Sequence, residues 1–436
     1  MYIERYEFMT RKLHKILGYY IPAFFELHVD TNAEDLSFSK LAPSELTTLF
    51  HEYIHFLQDI STNYGLNRIY VYSEYIHSVI TRINKNKSTR IRVPISIDDN
   101  DDNVLLNQRI QKLTSGDDGG DYGISTFDIS LIKEDKDDLI PNKYMQSIPN
   151  VIIHTNENQL IFGSNAITES MAYLMERCCS PSDFKISPEF PYMAAEKVAD
   201  YYVPNFSDNR LMVLALCDMS LMFSNPGTCF VSVMKEIRDG RLCFNAPEDI
   251  YNYFYCQKSV NTDGKQMTLL CSFQEMLSVV KKKLQCYIRN MSIVNSYYEW
   301  IDRLFDFVWD WRKNDPCFLI KMAKHQGLPT NGCFGYCVRC VGTPLMSNNK
   351  GEYFKIPPYG MTDNVDVEYF KAISQIEQLF SMGTKPCGLY EWCRNSPNSN
   401  HSDLCHSTPW KKVHEENLCP YALLWKHWNL SKHEVI

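Results

Sequence analysis

The run His51-Glu52-Tyr53-Ile54-His55 combines residue types that can carry out hydrolytic chemistry with a spacing that lets them cooperate. On an α-helix, residues i and i+4 lie about 40° apart around the axis and about 6 Å apart along it. Two imidazoles so placed can converge on one metal ion. Glu52 between them projects where its carboxylate can take a proton from a metal-activated water. Leu46, Leu49, Phe50, Tyr53, Ile54, Leu57 and Ile60 recur at i, i+3, i+4 spacing, which predicts a helix opened by Pro43 and Ser44. The competing explanation is chance on an amphipathic helix. With 12 histidines in 436 residues, chance is the weaker account.

A catalytic zinc takes three protein ligands and keeps one position for water. In one branch of the zinc peptidases the third ligand follows the second histidine by six residues, with a glycine after three. Here those places hold Ser61 and Gln58, which excludes that branch. Asp59 stands too far along the helix to share an ion with His51 and is expected at most to orient a ligand imidazole from outside. The better candidate is Glu169, in Ile167-Thr168-Glu169-Ser170-Met171-Ala172-Tyr173-Leu174-Met175-Glu176. This segment resembles the second zinc helix of the gluzincin metallopeptidases. In their aminopeptidase branch the ligand Glu is followed by a small residue, then Ala at +3 and Glu at +7; Ser170, Ala172 and Glu176 fill those places. The resemblance implies His51, His55 and Glu169 as zinc ligands and Glu52 as general base, within a zincin-like catalytic domain. The alternative for Glu169 is a first-turn acid favoured by the helix dipole. Gluzincins also use a Tyr or His to stabilise the oxyanion, and 27 tyrosines leave that residue unassigned. The chain departs from the family in placing 113 residues between His55 and Glu169. An acidic, Gly-rich stretch at about 84–138, with DDNDDN at 98–103 and GDDGGDYG at 116–123, reads as an exposed loop insertion that adds little closure entropy.

The elements that must position these groups follow from the pattern along the chain. Residues 19–29 are dense in aromatic and apolar side chains, with Pro22 tempering a strand assignment. Gly65 is a plausible stop for the first helix, and a second is expected from about Asn67 to Ile83. VIIH at 151–154 and QLIFG at 159–163 read as strands, followed by a helix from about Asn165 to Cys178. Residues 190–310 are largely helical in pattern. The expected fold class is α+β, predominantly helical. It would comprise a zincin-like catalytic domain at 1–205, a helical region at 206–330 and a Cys-rich C-terminal module at 331–436.

Seven of the 16 cysteines fall in that module. Cys333, Cys337 and Cys340 have the C-x3-C-x2-C spacing that resembles the cluster motif of radical SAM enzymes, but they stand too near the end of the chain for a barrel to follow. Cys387, Cys393, Cys405 and Cys419 form a looser set in irregular, Pro-rich sequence. A second, structural Zn²⁺, an iron–sulfur cluster and buried free thiols are the alternatives, and spacing does not choose four among the seven. The Cys178-Cys179 pair reads as core.

With 44 Lys and Arg against 52 Asp and Glu, the formal charge is −8. The chain therefore lacks the footprint of a nucleic-acid binder, and Lys281, Lys282 and Lys283 read as a solvated helix face. The start of the chain lacks the apolar stretch of an export signal, and Leu211–Phe223 is too short to span a bilayer. A cytoplasmic location is expected, with no membrane partner. The leading reading is a zinc-dependent metallopeptidase acting on a protein or peptide substrate. Two alternatives stand beside it: a binding or scaffold protein with structural metal, and a zinc hydrolase acting on a non-peptide bond.

Overall fold

The computed structural model describes residues 17–34, 36–86, 88–95, 102–118, 122–124, 126–133, 148–182, 187–257, 266–289, 291, 295–361, 368–395 and 401–436, with the strand backbone at 258–260. The elements that bear on the site are, in chain order, β1 (Gly18–Ile21), β2 (Glu26–Val29), α1 (Pro43–Ser61), α2 (Asn63–Lys85) and α3 (Asp102–Ser115). Next come β3 (Phe127–Lys133), β4 (Pro149–Thr155), β5 (Gln159–Ile161), α4 (Ser164–Cys179), α5 (Arg210–Ser220), α6 (Leu269–Cys286) and α7 (Asn295–Asn314). The C-terminal part supplies α8 (Gly332–Val341), β6 (Leu345–Ser347), β7 (Tyr353–Phe354), α9 (Glu368–Met382) and α10 (Pro420–His427). The architecture is predominantly helical with small sheets.

The helix α1 is the centre of the molecule. From Leu46 to Ser61 every residue except Thr48 is buried, because α2, α4, α7, β1 and β2 all pack against it. Burying each large apolar side chain of this helix stabilises the fold by about 1.5–3 kcal/mol. Burying its polar side chains costs free energy unless each finds a partner. Pro43 sits in the first turn, where its missing N–H is not needed. Glu45 reaches back to accept from the Ala42 amide at 2.9 Å.

Thr62 then caps α2, its hydroxyl accepting from the Gly65 amide at 3.0 Å. Gly65 is not a stop: it lies inside α2, which begins at Asn63 rather than near Asn67. A Cβ on Gly65 would sit 2.4 Å from Asp59 Cα and 2.5 Å from Gln58 O. The glycine is there because two helices turn tightly against each other.

One sheet has the order β1-β2-β6-β7, and β2 pairs parallel with β6 through Glu26 and Leu345. Residues 319 positions apart thus share one ladder. Pro22 falls in the connection between β1 and β2, where no ladder donor is required. The second sheet, β3-β4-β5, is antiparallel and leads directly into α4. The apolar core is one cluster running from Tyr20 to Leu430.

The stretch 84–138 is more structured than its acidic composition suggests, since it contains α3 and β3. Gln111, Thr114 and Ser115 are buried, with Ser115 Oγ 3.0 Å from Tyr64 Oη and Asn67 donating to Gln111 at 3.1 Å. Polar side chains on α3 find partners on α2, a pairing that hydrophobic periodicity does not reveal. Residues 98–101 and 119–121 of the two acidic runs lie outside the described residues, as do residues 1–16, which were read for an export signal.

No helix among the described residues is long and apolar enough to cross a membrane. Lys281 pairs with Asp302 and Asp306 at 2.9 and 3.2 Å, and Lys283 pairs with Glu74, so two of the three lysines in the run have acidic partners. The C-terminal segment docks on the body, with Leu424, Trp425 and Leu430 buried and the Trp428 indole donating to Tyr287 O at 2.8 Å.

Candidate metal centre

The two helices α1 and α4 face each other across His51, His55 and Glu169. All three side chains are buried, at 6%, 4% and 2% exposure. Among the described residues they are the one group of three or more His, Cys, Asp or Glu side chains whose ligand atoms lie within 4.8 Å of one another. His51 Nε2 is 3.2 Å from Glu169 Oε2, and His55 Nε2 is 3.3 Å from Glu169 Oε1. Each carboxylate oxygen therefore meets one imidazole. Glu169 lies in the second turn of α4, past the Gly163 cap, so it is not a first-turn acid held by the helix dipole.

The other ring nitrogens explain why the two Nε2 atoms point inward. His51 Nδ1 lies 2.6 Å from Glu176 Oε1, so that carboxylate backs the ring from the side away from Glu169. His55 Nδ1 donates to Gln58 Oε1 at 2.8 Å, and the Gln58 amide donates in turn to Thr168 O at 3.0 Å. This second bond fixes which end of Gln58 is oxygen, and so places the His55 proton on Nδ1. In neutral imidazoles so oriented, both Nε2 lone pairs face a carboxylate. A divalent cation relieves that opposition. For Zn–N and Zn–O bonds of about 2.0–2.1 Å, tetrahedral ligand atoms stand roughly 3.3 Å apart, which matches both His–Glu separations. The donor set of two imidazoles and a carboxylate, each imidazole fixed from outside, fits a zinc-type metal.

Glu52 is also buried, at 5% exposure, and lies beside the start of β1. A Cβ on Gly18 would stand 3.1 Å from Glu52 Cγ and 2.8 Å from Thr48 Cγ2. The glycine lets β1 pass close over the middle of the motif. Tyr53, between the two histidines, turns to the opposite side and donates to Gly342 O at 2.9 Å, while its ring packs against Phe334 of α8.

Two predicted details need correction. Asp59 does not orient an imidazole. Its carboxylate accepts from Tyr20 Oη and Ala23 N at 3.0 Å each and pairs with Arg68, because one further step around the helix turns it towards β1 and α2. Cys333, Cys337 and Cys340 lie on one regular helix, α8, at i, i+4 and i+7, which spreads them about 10 Å along its axis. They do not converge as a cluster motif would require. Cys179 is core, as read, and burial pushes its thiol up to about 12.

Gln58 was considered in the sequence only as a place without glycine. Its position three residues after His55, on a helix face that must be buried, is the signal that could have identified it. Tyr192 was not singled out. Its ring centroid lies 6.1 Å from that of His51 and 5.8 Å from that of Tyr173. Ser170 holds that segment in place, donating to Pro191 O at 2.8 Å and accepting from Ala195 N at 3.0 Å.

The far end of α1 is anchored by Arg312, fully buried with Asp218. It donates to both Asp218 oxygens at 2.8 and 2.7 Å and to Ser61 O at 2.5 Å. Comparison with known proteins finds no matching family model, curated relative or solved structure.

Proposed function

We propose that the chain is a zinc-dependent metallopeptidase with a gluzincin-like arrangement, hydrolysing peptide bonds of a protein or peptide substrate. One observation carries the reading. Both His Nε2 atoms face the two oxygens of one Glu169 carboxylate, while Glu176 and Gln58 hold both Nδ1 atoms from behind. Held this way, His51, His55 and Glu169 would be the zinc ligands. When bound, zinc supplies Lewis-acid polarisation of a carbonyl and brings the pKa of a water towards neutrality.

The protein's own groups do the rest. Glu52 accepts the proton of the attacking water and returns it to the departing amine nitrogen, so that it ends the cycle as it began. Glu176 draws charge from the His51 ring, and Gln58 keeps the His55 ring from rotating. Tyr192, beside His51, supplies the hydroxyl that steadies negative charge on the substrate oxygen. Burial of the whole set lowers the local dielectric and strengthens each of these interactions.

The reading is tested on a peptide library with zinc-loaded wild type, Glu52→Gln and His55→Ala. The expected result is cleavage by the wild type alone, with Glu52→Gln keeping its zinc and His55→Ala losing about one equivalent. Full activity in Glu52→Gln, or zinc content unchanged in His55→Ala, would overturn it.

A further inference from the structure

Away from the His51 centre, four buried thiols from separate segments come together in the C-terminal part of the chain. Cys387, Cys393, Cys405 and Cys419 are 7%, 7%, 3% and 9% exposed and take part in no disulfide. They come from short, irregular segments: Cys393 lies in the helix Tyr390–Asn395, Cys405 in Leu404–Ser407, and Cys419 caps α10. The Cys387 amide donates to Cys405 O at 2.7 Å, which ties two of these segments directly. Cys393 is an electrostatic neighbour of the other three thiols, and Cys387 of Cys419 and Cys405. Tyr421 closes the group beside Cys387 and Cys419, and Tyr353 beside Cys387 and Cys393.

Burial pushes the Cys387, Cys393 and Cys419 thiols up, and donors aimed at the sulfurs work against it. The Leu389 amide donates to Cys387 Sγ, and the amides of Tyr421 and Ala422 donate to Cys419 Sγ at the N-terminus of α10. A neutral thiol is a weak acceptor, whereas a thiolate gains from each such donor. Two buried ammonium groups stand close by. Lys412, 0% exposed, is a neighbour of Cys393 and Cys419, and Lys371 of Cys387. Lys412 is held by Glu415 and Ser402 at 2.7 and 3.1 Å, and Lys371 by Glu26.

We propose that Cys387, Cys393, Cys405 and Cys419 hold one structural Zn²⁺ as a tetrathiolate. On binding, four thiols release four protons to solvent and four Zn–S bonds form, with no change of oxidation state. The resulting site carries a net 2− charge, offset by the two lysines and the three amides. Tetrahedral sulfurs with bonds of about 2.3 Å stand roughly 3.8 Å apart. Among the described residues only the His51 group has ligand atoms within 4.8 Å of one another, so the proposal requires the four thiols to close up on the ion as it enters. The ion then cross-links segments that regular structure does not join.

The test uses the full chain and zinc alone, then cobalt(II) as a spectroscopic substitute. We expect two zinc equivalents in the wild type, one in His55→Ala, and one in Cys393→Ser/Cys419→Ser. Cobalt-loaded His55→Ala should show thiolate-to-cobalt charge-transfer absorption. That arm leaves every cysteine intact and does not depend on how the cysteine variant folds. A single zinc in the wild type that vanishes in His55→Ala would overturn the proposal, as would absent charge-transfer absorption, disulfides in the unreduced mass, or iron with inorganic sulfide. Loss of the His51-site zinc alone bears on the peptidase reading and leaves this one standing.

Discussion

Two regions of the molecule gather metal-binding side chains in opposite ways. The His51 centre is built on the two regular helices α1 and α4, and its ligand atoms already lie within 4.8 Å of one another. The thiol group around Cys387 is built on short segments linked by one backbone hydrogen bond and a shared burial. A helix fixes the relative place of side chains before any ion arrives, so a metal held there would be free to serve chemistry. Where loops supply the ligands, the ion itself contributes to the geometry, and binding energy becomes folding energy. On this comparison, stripping metal should abolish function at the first region and structure at the second.

The largest expected effect is at the first region. Glu52→Gln should reduce turnover by about 10²–10⁴-fold with unchanged zinc content, measured as kcat on a peptide that the wild type cleaves. The comparison breaks if zinc leaves with the carboxylate. Arg312→Met comes next: it strands the buried Asp218 carboxylate and frees the end of α1, with an expected loss of about 3–5 kcal/mol in a denaturant titration. Removing the supports of the imidazoles is subtler. Glu176→Ala and Gln58→Leu should each weaken zinc affinity by about 10–100-fold in a competition titration with a chelator, leaving the thermal midpoint nearly unchanged.

The smallest effect concerns His77, away from both regions, where burial and Lys283 push the imidazole down to about 4. As pH falls, the unfolded chain takes up the proton first, because its histidine titrates near 6.5. The contribution is therefore complete above pH 6.5 and lost between 6.5 and about 4. Solvent screening of the half-buried ring keeps it below the limit of about 3 kcal/mol set by the shift, and His77→Phe should flatten that part of the stability–pH curve.

The two regions also differ in how much of them could be read from the sequence. His51, Glu52 and His55 were legible because a helix converts spacing into direction, and Glu169 came from the resemblance of its segment to the second zinc helix of gluzincins. Gln58 and Glu176 act on the ring nitrogens that face away from the ligand position, and their roles depend on how α1 and α4 cross. Asp59 was misplaced because a single helical step redirects it towards Arg68 and Tyr20. For the thiols, spacing named seven candidates and could not choose. The choice rests on the lysines and amides nearby, which loop sequence does not encode periodically. Likewise α3 was hidden by the acidic runs on either side, since its buried face includes the polar Gln111 and Ser115.

The ladder between β2 and β6 has a consequence for the order of events during synthesis. His28 and Ser347 are 319 positions apart, and Tyr53 inside the motif waits for Gly342. At about 5–20 residues per second, a ribosome needs roughly 15–60 s to supply the partner strand after the first is made. Through that interval β2 lacks its partner strand β6 and Tyr53 lacks its hydrogen-bonded anchor. The centre should therefore mature only after residues 342–347 are made. A nascent chain stalled before residue 340 should leave Tyr53 open to chemical labelling, and one released after residue 360 should protect it.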